Sequence, residues 1–156
     1  MQSVQSYFRS LYFTHGILTL LLGAFLAFTK WEIIPYREDE FDIPFLISDA
    51  MIIVLGLIYA FIYLGKKNKS AKYRRGLGDK LTVYKKGLVV SWVIMAVMTL
   101  FSIASYIMTG DEKFVYVSLF CVLVLLLNRP TVGRTIRNLK LEDDEIEVLQ
   151  NPFSAL

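Results

Sequence analysis

Residues 64–87 read "LGKKNKSAKYRRGLGDKLTVYKKG": nine lysines and arginines and one acid, Asp79, between two long apolar runs. The runs on either side, residues 45–64 and 87–108, are each near the roughly 20 residues that carry a helix across about 30 Å of hydrocarbon at 1.5 Å per residue. Two apolar helices joined by so basic a connector make a membrane hairpin whose loop stays on one side. Working outward, residues 8–29 form a third run of spanning length, and residues 114–128 form a shorter fourth. That last one crosses only if Asn128 and Arg129 reach out to the interface. With 55% hydrophobic residues and a mean hydropathy of +0.50, the chain is too apolar for an ordinary soluble domain. The expected fold is an all-α membrane protein: four transmembrane helices as two antiparallel hairpins over residues 1–129, then a cytoplasmic tail over residues 130–156. The first run has only Arg9 as a basic flank and no small-x-small cleavage site before Lys30, so it is expected to be retained as a span.

Orientation follows from the loop cations, which are kept on the cytoplasmic side. Arg9, the nine cations of residues 64–87, Arg129, Arg134, Arg137 and Lys140 fall on one side, fourteen in all, against Lys30, Arg37 and Lys113 on the other. Both termini and the basic connector are therefore expected in the cytoplasm of a multi-pass protein of the cell membrane. A cation cluster pinned to a bilayer needs no polynucleotide to explain it, so no nucleic-acid partner is expected. "KKNKSAKYRR" holds no strong helix breaker and is expected to continue the second span outward until Gly76 and Gly78 end it. Asp79 then serves as N-cap of a helix running through "KLTVYKKG" into the third span. The result is a helical hairpin standing about 10–15 Å above the bilayer. Its Lys66, Lys67, Lys69, Lys72, Arg74 and Arg75 are candidate contacts to anionic lipid headgroups, at about 1 kcal/mol each close to the surface.

After Asn128-Arg129-Pro130, Pro130 is placed as the first residue of a new helix, in which Val132, Ile136 and Leu139 recur at helical spacing beside Arg134, Arg137 and Lys140. This is an amphipathic segment suited to an interface. "LEDDEIEVLQ" follows with Glu142, Asp143, Asp144, Glu145 and Glu147. These acids share a compartment with the basic hairpin. Two solvated charged faces are the simpler expectation, because exposed pairs contribute little, and mutual docking is the alternative.

Helices associate in lipid through small and polar residues. Gly16, Thr19, Gly23 and Ala27 mark a stripe on the first span, Asp49, Ile53, Gly56, Ala60 and Tyr63 one on the second, and Ser91, Thr99, Ser102, Tyr106 and Thr109 one on the third. Ionisable groups within spans are functional candidates by default, which singles out Asp49 and His15 as an intramembrane polar site. Their depths differ by about 15 Å, too far for a direct pair but compatible with a relay. The structural account of Asp49 makes it or Ser48 the N-cap of a helix beginning there, with "DIPFLI" lying along the outer interface. The structural account of His15 is a hydrogen-bonded interior histidine.

Enzyme signatures are missing. A single histidine excludes H-E-x-x-H, "GLG" at 76–78 has neither a preceding strand nor a following Gly-Lys-Ser/Thr, and there is no G-x-S-x-G. Nothing calls for a cofactor or metal. Cys121, at a depth similar to His15, lacks an orienting third group and reads as inert packing. Glu32, Glu38, Asp39, Glu40 and Asp42 lack calcium-loop spacing and read as a solvated loop flanked by interfacial Trp31 and Tyr36.

The ending "LLLNRPTVGRTIRNLKLEDDE" resembles that of a group of small, uncharacterised four-span bacterial membrane proteins, in which the last span closes on Arg-Pro-Thr and an acidic tail follows. The resemblance implies a bacterial inner membrane and no particular activity. Fused rotor-ring subunits of proton pumps share the two-hairpin layout, yet they carry a mid-span carboxylate and glycine-rich helices. Small four-span multidrug exporters carry a glutamate in the first span, where this chain has His15. The expected function is thus a non-enzymatic scaffold, assembly or accessory subunit, in contact with anionic lipid and with a protein partner or further copies of itself. The alternative is a small oligomeric proton- or ion-coupled transporter or channel using Asp49.

Overall fold

The computed structural model describes residues 3–31 and 42–156. Six helices account for nearly all of them: α1 (Val4–Lys30), α2 (Asp42–Lys72), α3 (Leu77–Thr109), α4 (Lys113–Leu127), α5 (Val132–Leu139) and α6 (Asp143–Gln150). Three, α1 to α3, are long and apolar enough to cross a membrane. The fourth candidate is the pair α4 and α5, which is bent by 79° at its break. Alone, the 15 residues of α4 rise only about 22 Å.

The axis of the fold is α3, buried along its length from Leu81 and Tyr84 through Trp92, Met95 and Met98 to Tyr106 and Thr109. Along it pack α2 and α4, while α1 takes its contacts from α3 and α4 rather than from α2, its neighbour in sequence. The α2–α3 pair is a long antiparallel hairpin whose register shows in three crossings. Ser102 hydrogen-bonds Asp49, Met98 fills the space in front of Gly56, and Leu64 and Lys67 lie against Gly87. Each residue gained on one helix is lost on the other, as antiparallel packing requires. The outward faces stay apolar: Met51, Val54, Ile58, Phe61 and Ile62 of α2 and Phe13, Leu20 and Leu21 of α1 are exposed. A belt of this kind suits hydrocarbon rather than water.

The small and polar stripes expected on the second and third spans are the packed faces. Asp49, Ile53 and Ala60 are buried, as are Ser91, Thr99, Ser102, Tyr106 and Thr109. The first stripe is different. A Cβ added at Gly16 or Gly23 would meet nothing within 4 Å, and α1 buries Tyr7, Phe8, Leu11, His15, Leu22 and Leu26 instead. Bulky side chains fill this looser interface, and His15, which must face α4, sets the helix rotation and carries Gly16 outward.

Several helix boundaries also move. Because α2 begins at Asp42, Ser48 and Asp49 lie about two turns inside it and cap nothing, and "DIPFLI" is part of the same rod. Pro44 sits in the first turn, where a missing N–H goes unneeded. Ser48 Oγ bonds back to the Pro44 carbonyl at 2.8 Å. Beyond Lys72 the chain turns through residues 73–76 on Gly76, whose φ of +87° favours glycine. Gly78 does not break the helix, and Asp79 is a first-turn residue of α3 rather than its N-cap. Pro130 precedes α5, whose N-cap is Thr131, with Oγ1 accepting from Arg134 N at 3.2 Å.

The tail closes the basic end of the bundle. Leu139, Leu141 and Leu149 are buried in the same core as Ala71, Leu81 and Tyr84. The first two amides of α1, which no helical carbonyl can serve, donate to the tail: Val4 N to Ser154 O at 3.1 Å and Gln5 N to Pro152 O at 3.0 Å. Ser3 pairs with Ala155 in an isolated antiparallel bridge, and its Oγ accepts from Ser6 N.

Candidate functional site

Two groups of polar residues stand out, one inside the bundle and one at its basic end. Inside, Asp49 is 1% exposed. Its two carboxylate oxygens lie 2.8 and 2.9 Å from Ser102 Oγ. One hydroxyl has one proton to give, so the pair is a single shared hydrogen bond zipping α2 to α3, worth about 1 kcal/mol by analogy with other interhelical bonds in lipid. Among the described residues no cation forms an ion pair with Asp49.

His15 is engaged elsewhere. Its Nε2 lies 2.9 Å from the Leu125 carbonyl, and since a carbonyl only accepts, Nε2 carries the proton. The ring stands edge-on to Trp92, centroids 4.9 Å apart. Trp92 Nε1 in turn donates to Asn128 O at 3.3 Å, and Arg134 Nη1 donates to Leu127 O at 2.9 Å. Side chains from α1, α3 and α5 thus form a collar that satisfies the carbonyls ending α4, the groups an α-helix leaves without partners. Asp49 and His15 therefore belong to separate structures, one bracing α2 on α3 and the other closing α4. Cys121 is buried and has no hydrogen bond to His15, whose ring nitrogen is committed to the Leu125 carbonyl.

At the basic end, the residues singled out as lipid contacts divide. Lys66, Lys69, Arg74 and Arg75 are exposed, whereas Lys67 and Lys72 are half-buried, with the Lys67 ammonium 5.4 Å from the Tyr63 ring centroid. Lys80, a connector cation outside that group, turns toward the tail. Its ammonium is held by both oxygens of Glu145 at 2.6 and 2.7 Å, the two side chains only 12% and 13% exposed. The docking alternative is therefore realised at one acid of the five. Glu142, Asp143, Asp144 and Glu147 stay exposed. Glu145 Oε2 also accepts from Glu142 N at 3.2 Å, which stiffens the start of α6. Lys85 reaches Ser10 Oγ at 3.1 Å, Tyr7 donates to Leu81 O at 2.9 Å, and Asn138 donates to the Tyr84 hydroxyl at 3.3 Å.

At the opposite end, Lys30 pairs with Glu112. Lys113 holds Asp111 at 2.7 Å, and that hydrogen bond keeps the Asp111 carboxyl below its ordinary value. The acidic loop residues Glu32, Glu38, Asp39 and Glu40, with Tyr36, lie outside the described residues, as does the side chain of Asp42; Trp31 is exposed.

The alpha-4 collar and the tail clasp escaped the sequence reading. The one local signal was Arg134 following Thr131, a cation one turn past a cap and close to the carbonyls it binds. The chain matches no protein-family model, and no curated protein or solved structure is similar to it.

Proposed function

We propose that this chain is a non-enzymatic, four-span protein of the bacterial inner membrane, with both termini and the basic end in the cytoplasm, acting as a scaffold, assembly or accessory subunit through that end. The supporting observation is how the end is built. The Lys80–Glu145 pair, shielded from solvent, joins the base of α3 to α6. Together with Leu139 and Leu149 in the shared core it gives a folded platform rather than loose charged loops. From this platform Lys66, Lys69, Arg74, Arg75, Asp143, Asp144 and Glu147 project into solvent. Rigid display of mixed charge suits recognition of a protein partner at an anionic surface. Asp49, at 1% exposure, is packed between α2 and α3 with its carboxylate on Ser102, which weighs against ion-coupled transport.

The test is gentle-detergent purification of the full chain beside an Arg74→Glu/Arg75→Glu variant and an Asp49→Asn variant. A defined partner held by the wild type and by Asp49→Asn, and lost from the surface variant, supports the reading. Proton or cation flux in liposomes that Asp49→Asn abolishes would replace it with transport.

A further inference from the structure

We propose that the junction of α4 and α5 binds one anionic phospholipid, its phosphate among Arg129, Arg134 and Arg137 and an acyl chain down α1 from Phe13 toward Leu21. The three guanidiniums, with Leu127, Thr131 and Gly133, line a depression of about 400 Å³. No acid lines it, and among the described residues none of the three arginines forms an ion pair. Two of them are held in place. Arg134 is tied by Nη1 to the Leu127 carbonyl and to Asn128 Oδ1, and Arg129 lies 5.3 Å from the centre of the Tyr12 ring. Arg137 follows Arg134 by three residues on α5, so the two share a face. Pre-positioned guanidiniums without a carboxylate are the donor set that a phosphate oxygen accepts from.

The second half of the site is apolar. A groove of about 660 Å³ runs beside the depression, walled by Phe8, Tyr12, Phe13, Val132, Leu149 and Pro152. The two meet at two points. Val132 lies in the groove while its neighbours Thr131 and Gly133 line the depression, and Arg129 of the depression covers Tyr12 of the groove. Phe13 also borders a crevice of about 360 Å³ between α1 and α3, shared with Ile17 and Leu21. From Phe13 to Leu21 the apolar track continues about 12 Å down α1 at 1.5 Å per residue. A soluble organophosphate would use the arginines and leave the track empty. An anionic phospholipid matches both, charge to the depression and hydrocarbon to the track from Phe13 to Leu21.

This inference rests on the placement of the basic end at the cytoplasmic membrane surface proposed above, and it concerns a discrete site rather than the diffuse attraction of the hairpin cations. The experiment is native mass spectrometry of the full chain in mild detergent, titrated with phosphatidylglycerol, with phosphatidylcholine, and with glycerol phosphate as the soluble arm. One phosphatidylglycerol per chain should be retained in preference to phosphatidylcholine. Arg129→Gln/Arg137→Gln, which leaves Arg134 on the end of α4, should weaken retention about 25-fold, near fivefold per surface cation, while Lys86→Gln, at an exposed cation of the hairpin, leaves it unchanged. Equal retention of both lipids, equal weakening by the hairpin variant, or glycerol phosphate binding as tightly as the lipid would each overturn the proposal. A second measurement avoids charge substitutions. Phe13→Trp should be quenched by brominated phosphatidylglycerol at low mole fraction in phosphatidylcholine vesicles, more than by brominated phosphatidylcholine, and equal quenching would also refute the site. Failure here leaves the partner purification untouched, so the two readings fall separately.

Discussion

Replacing Gly87 by alanine tests the close approach on which the α2–α3 hairpin depends. A Cβ at Gly87 would stand 2.8 Å from Lys67 Cβ and 3.3 Å from both Leu64 Cδ1 and Lys67 Cγ. Carbon atoms prefer about 3.5–4.0 Å, so the shortest contact falls short by roughly 0.7–1.2 Å. Because Lys67 Cβ is fixed to the α2 backbone, no rotamer change relieves it and the helices must shift. Overpacking of this kind costs about 1–3 kcal/mol, set against the gain of about 0.4–1 kcal/mol from restricting the unfolded chain. Gly65 supplies the internal control, since a Cβ there meets nothing within 4 Å and Gly65→Ala should show the gain alone. Unfolding of both variants in one detergent should therefore place Gly87→Ala below Gly65→Ala by about 1–3 kcal/mol. Equal stability of the two, or a more stable Gly87→Ala, would refute the crossing at Gly87 and the hairpin register with it.

A double-mutant cycle of Lys80→Met and Glu145→Gln should give a coupling of about 1.5–3 kcal/mol, largely retained near 1 M salt because the pair is shielded; a coupling that vanishes with salt would return both groups to solvent. At His15, glutamine keeps a donor for the Leu125 carbonyl, whereas phenylalanine leaves it only the Asn128 N–H that it shares with the Val124 carbonyl, so thermal unfolding should find His15→Phe the less stable by about 0.5–1.5 kcal/mol, the net worth of one hydrogen bond. Similar melting of the two would remove His15 from the collar. Asp111 should titrate below its ordinary 3.8, which carbon-detected NMR can follow, and Lys113→Gln should bring it back up. With the folded value depressed, this small contribution to stability is present above 3.8 and lost as pH falls through the folded value.

The rods themselves were legible because each rests on a local run. Residues 45–72 contain no interruption strong enough to stop a helix, so the extension of α2 through the lysines could be foreseen. The stripe through Asp49, Ile53, Gly56 and Ala60 was legible for the same reason, small and polar residues at helical spacing. Capping rules misplaced the start of α2. They treat Ser48 and Asp49 as terminal residues, and nothing local reveals that Ser102, 53 positions on, supplies the hydrogen bond to Asp49. Gly16 and Gly23 misled in the opposite direction, since a glycine opens a groove only where a neighbour arrives to fill it. Non-local pairing hid the rest: Lys80 and Glu145 are 65 residues apart, and His15 is 110 from the carbonyl it serves.

The clasp between Val4, Gln5 and residues 152–154 has a consequence in time. The opening turn of α1 leaves the ribosome about 150 residues before the segment whose carbonyls serve its amides. At roughly 5–20 residues per second of synthesis, that turn waits about 7–30 s before its acceptors exist. Until then water or lipid headgroups must serve those amides, so the groove beside Phe8 and Tyr12 is formed only after Leu149 and Pro152 have been made. Assembly of the basic end is in this sense a late event, available to a partner only from a chain already translated past residue 154.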